Sequence, residues 1–438
     1  MKGVLVDVSP LRLDPRYRRL WLGQTVSGMG TQITRIALPF QVYVLTGSTL
    51  AVAALAAVQL VPIMTFALGA GSLADAVDRR RLLLVTQTGQ ALASAALLLI
   101  ALSPAPSLVA IYAIAFVASA LSAVDQPARA SAVPRLVAPR RLPAAIALNE
   151  LNYQTASVVG PAIGGLLLAT VGVAGAYAVD AVSFAASILA LVAIGPIPPS
   201  PDARRPSLAG IREGLGFATR RRVIMSTFVI DLNAMIFGMP LALFPALALD
   251  VFKVGPAGVG FLAAAPALGA VIGALLSGWV SRVRRVGRAV IIAVATWGLA
   301  IAAFGVVTFS FPLALGFLAI AGAADSISAV FRNIIIQFET PDELRGRVSS
   351  IHSMVVTSGP QAGDVEAATV AAVVGTQLSV VSGGLACVAG VVVVARWFPE
   401  LARYVRPEET AAVLAAVAAS GQGEGVANSN GKMSSPGS

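Results

Sequence analysis

Twelve long apolar segments alternate with short polar gaps along this chain, and the alternation predicts its architecture. A helix needs roughly 20 apolar residues to cross the hydrocarbon core of a bilayer, and each segment is close to or above that length. The segments cover residues 20–45, 50–73, 82–102, 108–124, 145–170, 174–194, 223–251, 258–280, 289–307, 313–336, 348–374 and 378–394. We therefore predict an all-α membrane protein with twelve transmembrane helices.

The positive charges indicate on which side of the membrane each gap lies. Arginines fall in alternate gaps, at residues 12–19, 79–81, 135–141, 204–222, 282–288, 345–347 and 396–406. In the intervening gaps Lys253 is the single basic residue. Because cytoplasmic loops of membrane proteins are enriched in Lys and Arg, we expect both termini in the cytoplasm. The protein is expected to be a multi-pass protein of a bacterial inner membrane, in contact with the lipid bilayer.

The longest polar gap, residues 195–222, divides the segments into two sets of six. Its prolines do not continue a helix, and its apolar residues around Leu215 alternate with charges as in an amphipathic helix on the membrane surface. The predicted organisation is a cytoplasmic lead-in at 1–19, an N-terminal six-helix bundle at 20–194, this cytoplasmic loop, a C-terminal six-helix bundle at 223–398, and a largely disordered cytoplasmic tail at 399–438.

Composition excludes several classes of function. The chain is 57% hydrophobic and 12% charged, which is more apolar than a soluble domain requires. Its net charge of +10 comes from loop arginines without interleaved aromatic residues, so no nucleic-acid partner is expected. One Cys (Cys387), one His (His352) and no phosphate-binding loop argue against an enzyme, a metal site, a cofactor and a nucleotide-driven pump.

Two short motifs occur once in each half, at equivalent places. Residues 71–80 (GSLADAVDRR) follow the second segment, and residues 278–285 (GWVSRVRR) follow the eighth. Residues 160–165 (GPAIGG) in the fifth segment correspond to residues 359–364 (GPQAGD) in the eleventh. Internal repetition of this kind is typical of transporters built from two related bundles.

The first motif resembles the loop signature of the major facilitator superfamily. Gly71, Asp75, Arg79 and Arg80 match that signature, and Asp78 stands where glycine is commonest. The resemblance implies a secondary transporter in which these five residues form an ionic latch between the bundles. The residues alone leave a simpler interpretation open, in which Asp78 caps the third helix and the arginines lie at the inner headgroups.

The second motif, Gly160, Pro161, Gly164 and Gly165, resembles the fifth-helix motif of exporters in the superfamily, although it also suits close helix packing alone. Further stretches resemble the branch that contains the enterobactin exporter and related proton-coupled drug exporters. They are residues 30–41, 231–245, 332–333, 340–347 and 358–367. The likeness runs from about residue 16 to residue 396.

This resemblance implies an antiporter that exports a small molecule by proton-coupled alternating access and works as a monomer. The expected cargo is a siderophore of catecholate type. Broad-specificity efflux of macrolide-type drugs, with multidrug resistance, is the alternative. A membrane nutrient sensor that binds its ligand without translocating it is an alternative of a different class.

Ionisable side chains inside membrane segments are candidate functional residues, because each costs roughly 3 kcal/mol at the bilayer centre. We predict that the coupled proton binds to one of the following acids: Asp231, Asp325, Asp364, Glu366 and Asp180. Asp364 and Glu366 point roughly 160° apart on a helix, so one of them is predicted to be structural. Asp231 is favoured as the acid that gains a proton outside and loses it inside, and the alternative is a fixed partnership with an arginine.

The resemblance also implies which residues line the substrate route, since helices 1, 4, 7 and 10 form the central cavity in this superfamily. The substrate-cavity candidates are Arg35, Gln32, Asn233, Arg332 and Phe237. Cations and aromatic walls suit an electron-rich cargo. Asp125 is also placed near the route, but its spacing of four from Arg129 equally predicts an ordinary ion pair on one helix.

Overall fold

The computed structural model describes residues 7–198 and 215–406 of the chain. Twelve long helices make up most of this part, and no strand occurs in it. We number them α1 (Pro15–Thr46), α2 (Thr49–Ala76), α3 (Arg79–Leu102), α4 (Leu108–Leu136), α5 (Leu142–Thr170), α6 (Gly172–Ile194), α7 (Arg222–Phe237), α8 (Gly255–Leu275), α9 (Val286–Val306), α10 (Phe311–Glu339), α11 (Asp342–Val374) and α12 (Thr376–Trp397). The predicted all-α fold with twelve long helices is confirmed.

Local sequence explains where several helices begin and end. The side chain of Asp78 accepts a hydrogen bond from the amide of Arg81 at 3.0 Å, and Ser107 caps α4 in the same way. Gly47 ends α1 with a φ of 60°, a left-handed conformation that glycine adopts without steric clash. Such caps satisfy backbone groups at the helix ends, so short loops suffice between antiparallel neighbours.

Nine helices of the described part are long and apolar enough to cross a membrane, when α7 is counted with its continuation to Val251. The other three, α1, α5 and α11, carry polar residues near their centres, including Arg35, Asn152 and Asp364. Polar side chains inside membrane bundles face protein or water rather than lipid. The three less apolar helices are therefore expected to turn these residues toward the bundle interior.

The two halves, α1–α6 and α7–α12, repeat one packing pattern. In the N-terminal half α1 packs on α5 and α6, α4 packs on α2 and α3, and α3 packs on α6. In the C-terminal half α7 packs on α11 and α12, α10 packs on α8 and α9, and α9 packs on α12. Each pair in one half has its counterpart six helices later. The structure thus gives a physical basis to the repetition seen in the sequence.

The halves share a core at one end only. We call the end with the arginine-bearing loops the arginine-rich end and the opposite one the arginine-poor end. A large hydrophobic cluster joins Ile36 and Val52 of the N-terminal half to Phe244 and Leu262 of the C-terminal half, near the arginine-poor end. At the arginine-rich end the N-terminal half has a separate core cluster around Tyr17 and its own helices. The described part therefore forms a cleft between the halves that opens at the arginine-rich end.

Contacts across the cleft follow the same pseudo-symmetry. Helix α5 packs on α8, and the equivalent helices α11 and α2 pack on each other. At the arginine-poor end the hydroxyl of Tyr43 donates a hydrogen bond to the carboxylate of Asp250, which ties α1 to the chain that follows α7. These contacts close the arginine-poor end in this conformation.

Short helices flank the two bundles. Ser9–Leu13 precedes α1, and Pro399–Arg403 follows α12 and packs on α9. Leu401 is fully buried, and the amide of Arg406 donates to the carbonyl of Arg284 at 2.9 Å. The polar C-terminal region therefore begins with a packed segment, because Leu401 has apolar surface to bury. Residues 407–438 and most of the expected amphipathic helix in the central loop lie outside the described residues.

Candidate functional site

A buried ion pair joins α7 to α10 in the C-terminal half. Nη2 of Arg332 lies 2.8 Å from Oδ1 of Asp231, and the two side chains are 3% and 0% exposed. A second acid, Asp325, lies 3.7 Å from the same nitrogen and is 34% exposed. Arg332 also donates to the hydroxyl of Ser328 at 2.8 Å. Two carboxylates, one interior and one partly accessible, therefore share one arginine.

This cluster is not saturated with hydrogen bonds. Oδ2 of Asp231 and Nε of Arg332 are buried and have no hydrogen-bond partner among the described residues. The contact between Asp231 and Arg332 is an ion pair rather than an aligned hydrogen bond. A buried pair of this kind is stable only while both charges persist, since one charge alone is poorly solvated there. Protonation of Asp231 would therefore release Arg332 toward Asp325.

Arg35 and Asp364 face each other across the two halves. The side chain of Arg35 is exposed, whereas its neighbours Ile36 and Ala37 are buried. Its charge acts electrostatically on Asp364 of α11. An arginine near the middle of a membrane helix needs water or a counter-charge, and a position at the cleft supplies both. The structure thus brings one cavity candidate and one proton candidate together.

Helix α7 is interrupted midway, a feature that the residue-by-residue predictions missed. The helix ends at Phe237, and the chain resumes as the 3₁₀ turn Leu241–Leu243, because Pro240 has no amide hydrogen. Nε1 of Trp297 donates to the carbonyl of Gly238 at 2.9 Å, and Asp364 accepts from the amide of Ala242 at 2.8 Å. These bonds satisfy backbone groups that the break leaves open. Gly238 and Pro240 are the sequence signal for the break.

Two further proton candidates lie apart from this cluster. Oδ2 of Asp180 in α6 accepts hydrogen bonds from Thr34 of α1 at 2.7 Å and from Ser94 of α3 at 2.6 Å. Asp180 is 2% exposed, so it works as a polar centre that joins three helices of the N-terminal half. Glu366 is half-buried on α11. Their roles in proton coupling stay predictions.

The amide candidates bond to neighbouring helices of their own half. Nε2 of Gln32 donates to the hydroxyl of Ser157 on α5 at 2.8 Å. Nδ2 of Asn233 donates to the carbonyl of Cys387 on α12 at 3.0 Å. Phe237, at the break in α7, is partly buried against the large core cluster. These contacts give Gln32 and Asn233 packing roles, and their place in the cavity stays a prediction.

The predicted latch residues make their described hydrogen bonds inside the N-terminal half. Asp78 caps α3 and accepts from the amide of Ile197 at 3.0 Å. Arg79 is 3% exposed and donates to Ser131 at 3.1 Å, and Arg80 donates to the carbonyl of Leu191 at 2.7 Å. Gly71 and Asp75 lie in α2, where the side chains of residues 67–76 lie outside the described part. A latch between the halves stays a prediction for another state of the cycle.

The glycine-rich stretch of α5 forms the closest contacts of that helix. A Cβ atom on Gly160 would lie 2.6 Å from Cβ of Gln32, and one on Gly164 would lie 2.8 Å from Cδ1 of Ile36. On Gly165 it would lie 2.7 Å from Cα of Gly260 in α8. Pro161 is buried in the same helix and approaches Gly260 through its carbonyl oxygen. The motif therefore lets α5 approach both α1 and the opposite half.

Asp125 lies in the ordinary helical ion pair that its spacing indicates. Its carboxylate accepts from Arg129 one turn later and from the hydroxyl of Thr86 on α3 at 2.7 Å. Asp125 is 5% exposed. The pair thus links α3 and α4 near the arginine-rich end of the N-terminal half.

Two ion contacts at the bundle ends were not found from the sequence. One is the hydrogen bond between Tyr43 and Asp250 that closes the arginine-poor end. The other joins Arg141 to both oxygens of Asp14, at 2.8 and 2.7 Å. Hydrogen bonds from Arg141 lower the pKa of Asp14, and partial burial opposes this effect. Both pairs are distant in sequence, and no local spacing indicates them.

Metal binding has no support in the described residues, where no group of three or more His, Cys, Asp and Glu side chains is placed to hold an ion. The chemistry available at the Asp231–Arg332–Asp325 cluster is therefore that of carboxylates and one guanidinium. Such groups bind protons, hydroxyl donors and electron-rich rings.

Comparison with known families and proteins identifies relatives along most of the chain. A family model described as transmembrane secretion effector matches residues 6–409. The enterobactin exporter EntS of Shigella boydii serotype 18 is 30% identical over 363 residues, which are 82% of this chain and 86% of that protein. The protein of the same name from Escherichia coli O139:H28 shows the same identity and coverage.

Solved transporters share the fold at low sequence identity. A bacterial homologue of the lysosomal transporter Spinster, inward-facing and unoccupied, has a TM-score of 0.70 and 15% identity and covers 92% of this chain and 100% of its own. An inward-facing bacterial homologue of the iron transporter ferroportin has a TM-score of 0.67 and 16% identity, with 89% and 99% covered. PepTSo, of the POT family, has a TM-score of 0.71 and 12% identity, with 89% and 98% covered.

Proposed function

Because this chain belongs to the transmembrane secretion effector family of the major facilitator superfamily, we propose that it exports a catecholate siderophore by proton-coupled alternating access. Membership of that family makes it a membrane-spanning secondary transporter and not an enzyme. The proposal adds the direction of transport, the driving ion and the cargo.

The shared arginine is the observation that carries the proposal. In the unprotonated cluster Arg332 lies against Asp231, and the more accessible Asp325 is less tightly held at 3.7 Å. A catechol presents two adjacent hydroxyl donors, and a carboxylate is an acceptor that suits them. Asp325 is therefore proposed to bind the cargo hydroxyls while Arg332 remains with Asp231.

Proton binding then releases the cargo in this scheme. A proton on Asp231 removes the counter-charge of Arg332, which moves to Asp325 and displaces the cargo hydroxyls. Proton and cargo thus compete through Arg332, as an antiporter requires. By thermodynamic linkage the competition is reciprocal, so cargo binding also disfavours proton binding to Asp231.

The conformation supports loading from the cytoplasm. The cleft opens at the arginine-rich end, which the distribution of loop arginines predicts to be cytoplasmic. Arg35, exposed on α1 at the cleft, suits the face of an electron-rich ring. The enterobactin exporters, at 30% identity, support both the catecholate cargo and the outward direction.

Uptake into everted membrane vesicles tests the proposal directly. The vesicles contain the protein, have an acidic interior imposed across the membrane, and receive either a catecholate siderophore or a macrolide. The proposal expects siderophore uptake that depends on the pH gradient and is absent from vesicles without the protein. Uptake of the macrolide alone would favour drug efflux, and binding without uptake of any cargo would favour the sensor.

A methylated siderophore is the matched control for the cargo chemistry. Methylation of both catechol hydroxyls removes the donors that Asp325 accepts and leaves the aromatic ring in place. The methylated compound is expected not to be transported. Equal transport of the two compounds would contradict the assignment of Asp325 as the cargo acceptor.

A further inference from the structure

A polar pocket lies between α10 and α11 at the arginine-rich end, outside the Asp231–Arg332–Asp325 cluster. Its volume is about 230 Å³. The residues that line it are Asn333, Ile336, Gln337, Thr340, Arg345, Ser349 and His352. Those from α10 and its end follow a helical spacing of three or four, and so do those from α11. Two helix faces therefore turn polar side chains into one space.

The pocket contains buried polar atoms that lack partners. Thr340 is 3% exposed, and its hydroxyl has no hydrogen-bond partner among the described residues. Nδ1 of His352 is likewise buried and without such a partner in the described part. Buried polar groups are nearly always hydrogen-bonded, because an unmade bond costs roughly 1–3 kcal/mol. Two such groups on one pocket indicate that a ligand supplies the missing bonds.

The lining selects the charge of that ligand. The guanidinium of Arg345 and the side-chain amides of Asn333 and Gln337 are donors, and the hydroxyls of Thr340 and Ser349 also donate. None of the seven lining residues is acidic. A group of donors with one cation and no carboxylate suits an oxyanion.

The base of the pocket selects the body of the ligand. Ile336, which lines the pocket, belongs to a small hydrophobic cluster with Ile224, Phe228 and Val348. An apolar base disfavours inorganic phosphate, which is charged on every side, and favours a molecule with one apolar end. The volume is below the usual 300–1,000 Å³ of a drug-sized site, so it suits a single ring or a short chain.

We propose that this α10–α11 pocket is a binding site for a small monocarboxylate with an apolar body, of the size of benzoate. The carboxylate binds Thr340, Ser349 and Arg345, and the apolar body lies on Ile336. The site is separate from the cluster that the proposed function uses, so neither proposal depends on the other.

Binding of benzoate to the purified full-length protein in phosphatidylcholine nanodiscs tests this inference. Isothermal titration is expected to show saturable binding of one benzoate per chain. Benzamide, which has the same ring and no negative charge, is expected to bind at least tenfold more weakly. Inorganic phosphate in place of benzoate, or the absence of saturable binding, would overturn the proposal.

Two variants and a matched control localise the site. Thr340→Val keeps the shape of the side chain and removes the hydroxyl, and Ser349→Ala removes an exposed hydroxyl, so the latter avoids any risk to folding. Each is expected to weaken benzoate binding roughly tenfold, the loss expected for a hydrogen bond to a charged group. Ser350→Ala, on the same helix, is expected to leave binding unchanged, since Ser350 already donates to the carbonyl of Gly346. Equal affinity in Ser349→Ala and Ser350→Ala would contradict the site.

The source of the carboxylate is tested by a change of lipid. The proposal expects the same benzoate affinity in nanodiscs of phosphatidylglycerol and of phosphatidylcholine. Loss of benzoate binding only with the anionic lipid would identify the pocket as a headgroup site and overturn the assignment. Transport assays report separately, because siderophore uptake can persist in a protein that does not bind benzoate.

Discussion

Arg332 of α10 lies 2.8 Å from Asp231 of α7, and neither side chain has appreciable contact with solvent. A guanidinium and a carboxylate removed from water in this way depend on each other, because each is the main counter-charge of the other. Asp325 contacts the same arginine from a position that is one third exposed. The three residues are therefore unequal, which makes their individual replacement informative.

Replacement of the two acids by alanine is expected to have different effects on stability. Asp231→Ala leaves Arg332 buried without its near partner and should lower the free energy of unfolding by roughly 3–5 kcal/mol. Asp325→Ala removes a longer and partly solvated contact and should cost about 1 kcal/mol or less. Thermal melting in detergent measures both.

The apolar double variant Asp231→Leu with Arg332→Met is the control for this comparison. It removes both charges together and is expected to recover most of the stability lost in Asp231→Ala. Equal melting temperatures for Asp231→Ala and Asp325→Ala would show that burial does not distinguish the two acids.

Asp180 is expected to support the fold without carrying the proton. Its carboxylate bonds to Thr34 and Ser94 inside the N-terminal half. Asp180→Asn keeps the shape and one acceptor oxygen, so we expect a lower melting temperature but unchanged gradient-driven uptake for each folded molecule. Loss of uptake at full stability in Asp180→Asn would return Asp180 to the coupling mechanism.

The contact between Gly165 and Gly260 is expected to tolerate no added methyl group. A Cβ atom on Gly260 would lie 2.4 Å from the carbonyl oxygen of Pro161 and 2.6 Å from Cα of Gly165. Gly260→Ala should therefore separate α5 from α8, at a cost of roughly 1–3 kcal/mol. Thermal melting checks the loss, and Gly316→Ala is the control because no atom lies within 4 Å of its added Cβ. Identical melting of the two variants would mean that the halves are not in close contact here.

The pair between Asp14 and Arg141 predicts a defined dependence of stability on pH. Hydrogen bonds from Arg141 hold the pKa of Asp14 below its usual value of about 3.9. The stabilisation, roughly 1 kcal/mol, is therefore complete above about pH 4 and is lost as the pH falls through the lower pKa of the folded state. Melting of the parent and of Asp14→Asn should differ at pH 7 and converge near pH 3. Glu150→Gln, which replaces an exposed acid, should follow the parent at both pH values, and a constant difference for Asp14→Asn would contradict the account.

Hydrophobic segments and loop charges predicted the helices well, because helices in a membrane satisfy their own backbone groups and need little tertiary information. The same reasoning identified Asp231, Arg332 and Asp325 singly, since any charge inside a segment requires an explanation. It left open which acid pairs with Arg332, because α7 and α10 are about 100 residues apart in sequence and only their packing brings the residues together. The alternative in which Asp231 partners an arginine was stated, and the structure supplies that arginine.

Other features depended on three-dimensional packing throughout. The amide of Asn233 was assigned to the cavity from its helix, yet the face that it occupies packs on α12. The bond between Tyr43 and Asp250 and the pocket around Thr340 each combine residues from separate helices, and no short motif reports them. The opening of the cleft at one end reflects the conformational state, which a single sequence does not specify.

Uptake by the Asp231→Asn variant tests the central claim most directly. Proteoliposomes with this variant should still exchange catecholate siderophore across the membrane when no pH gradient is present, because Asp325 and Arg35 remain to bind it. An imposed pH gradient should produce no accumulation above equilibrium, whereas the parent protein accumulates the cargo. Accumulation by Asp231→Asn to the level of the parent would show that the proton does not act through Asp231 and would contradict the mechanism.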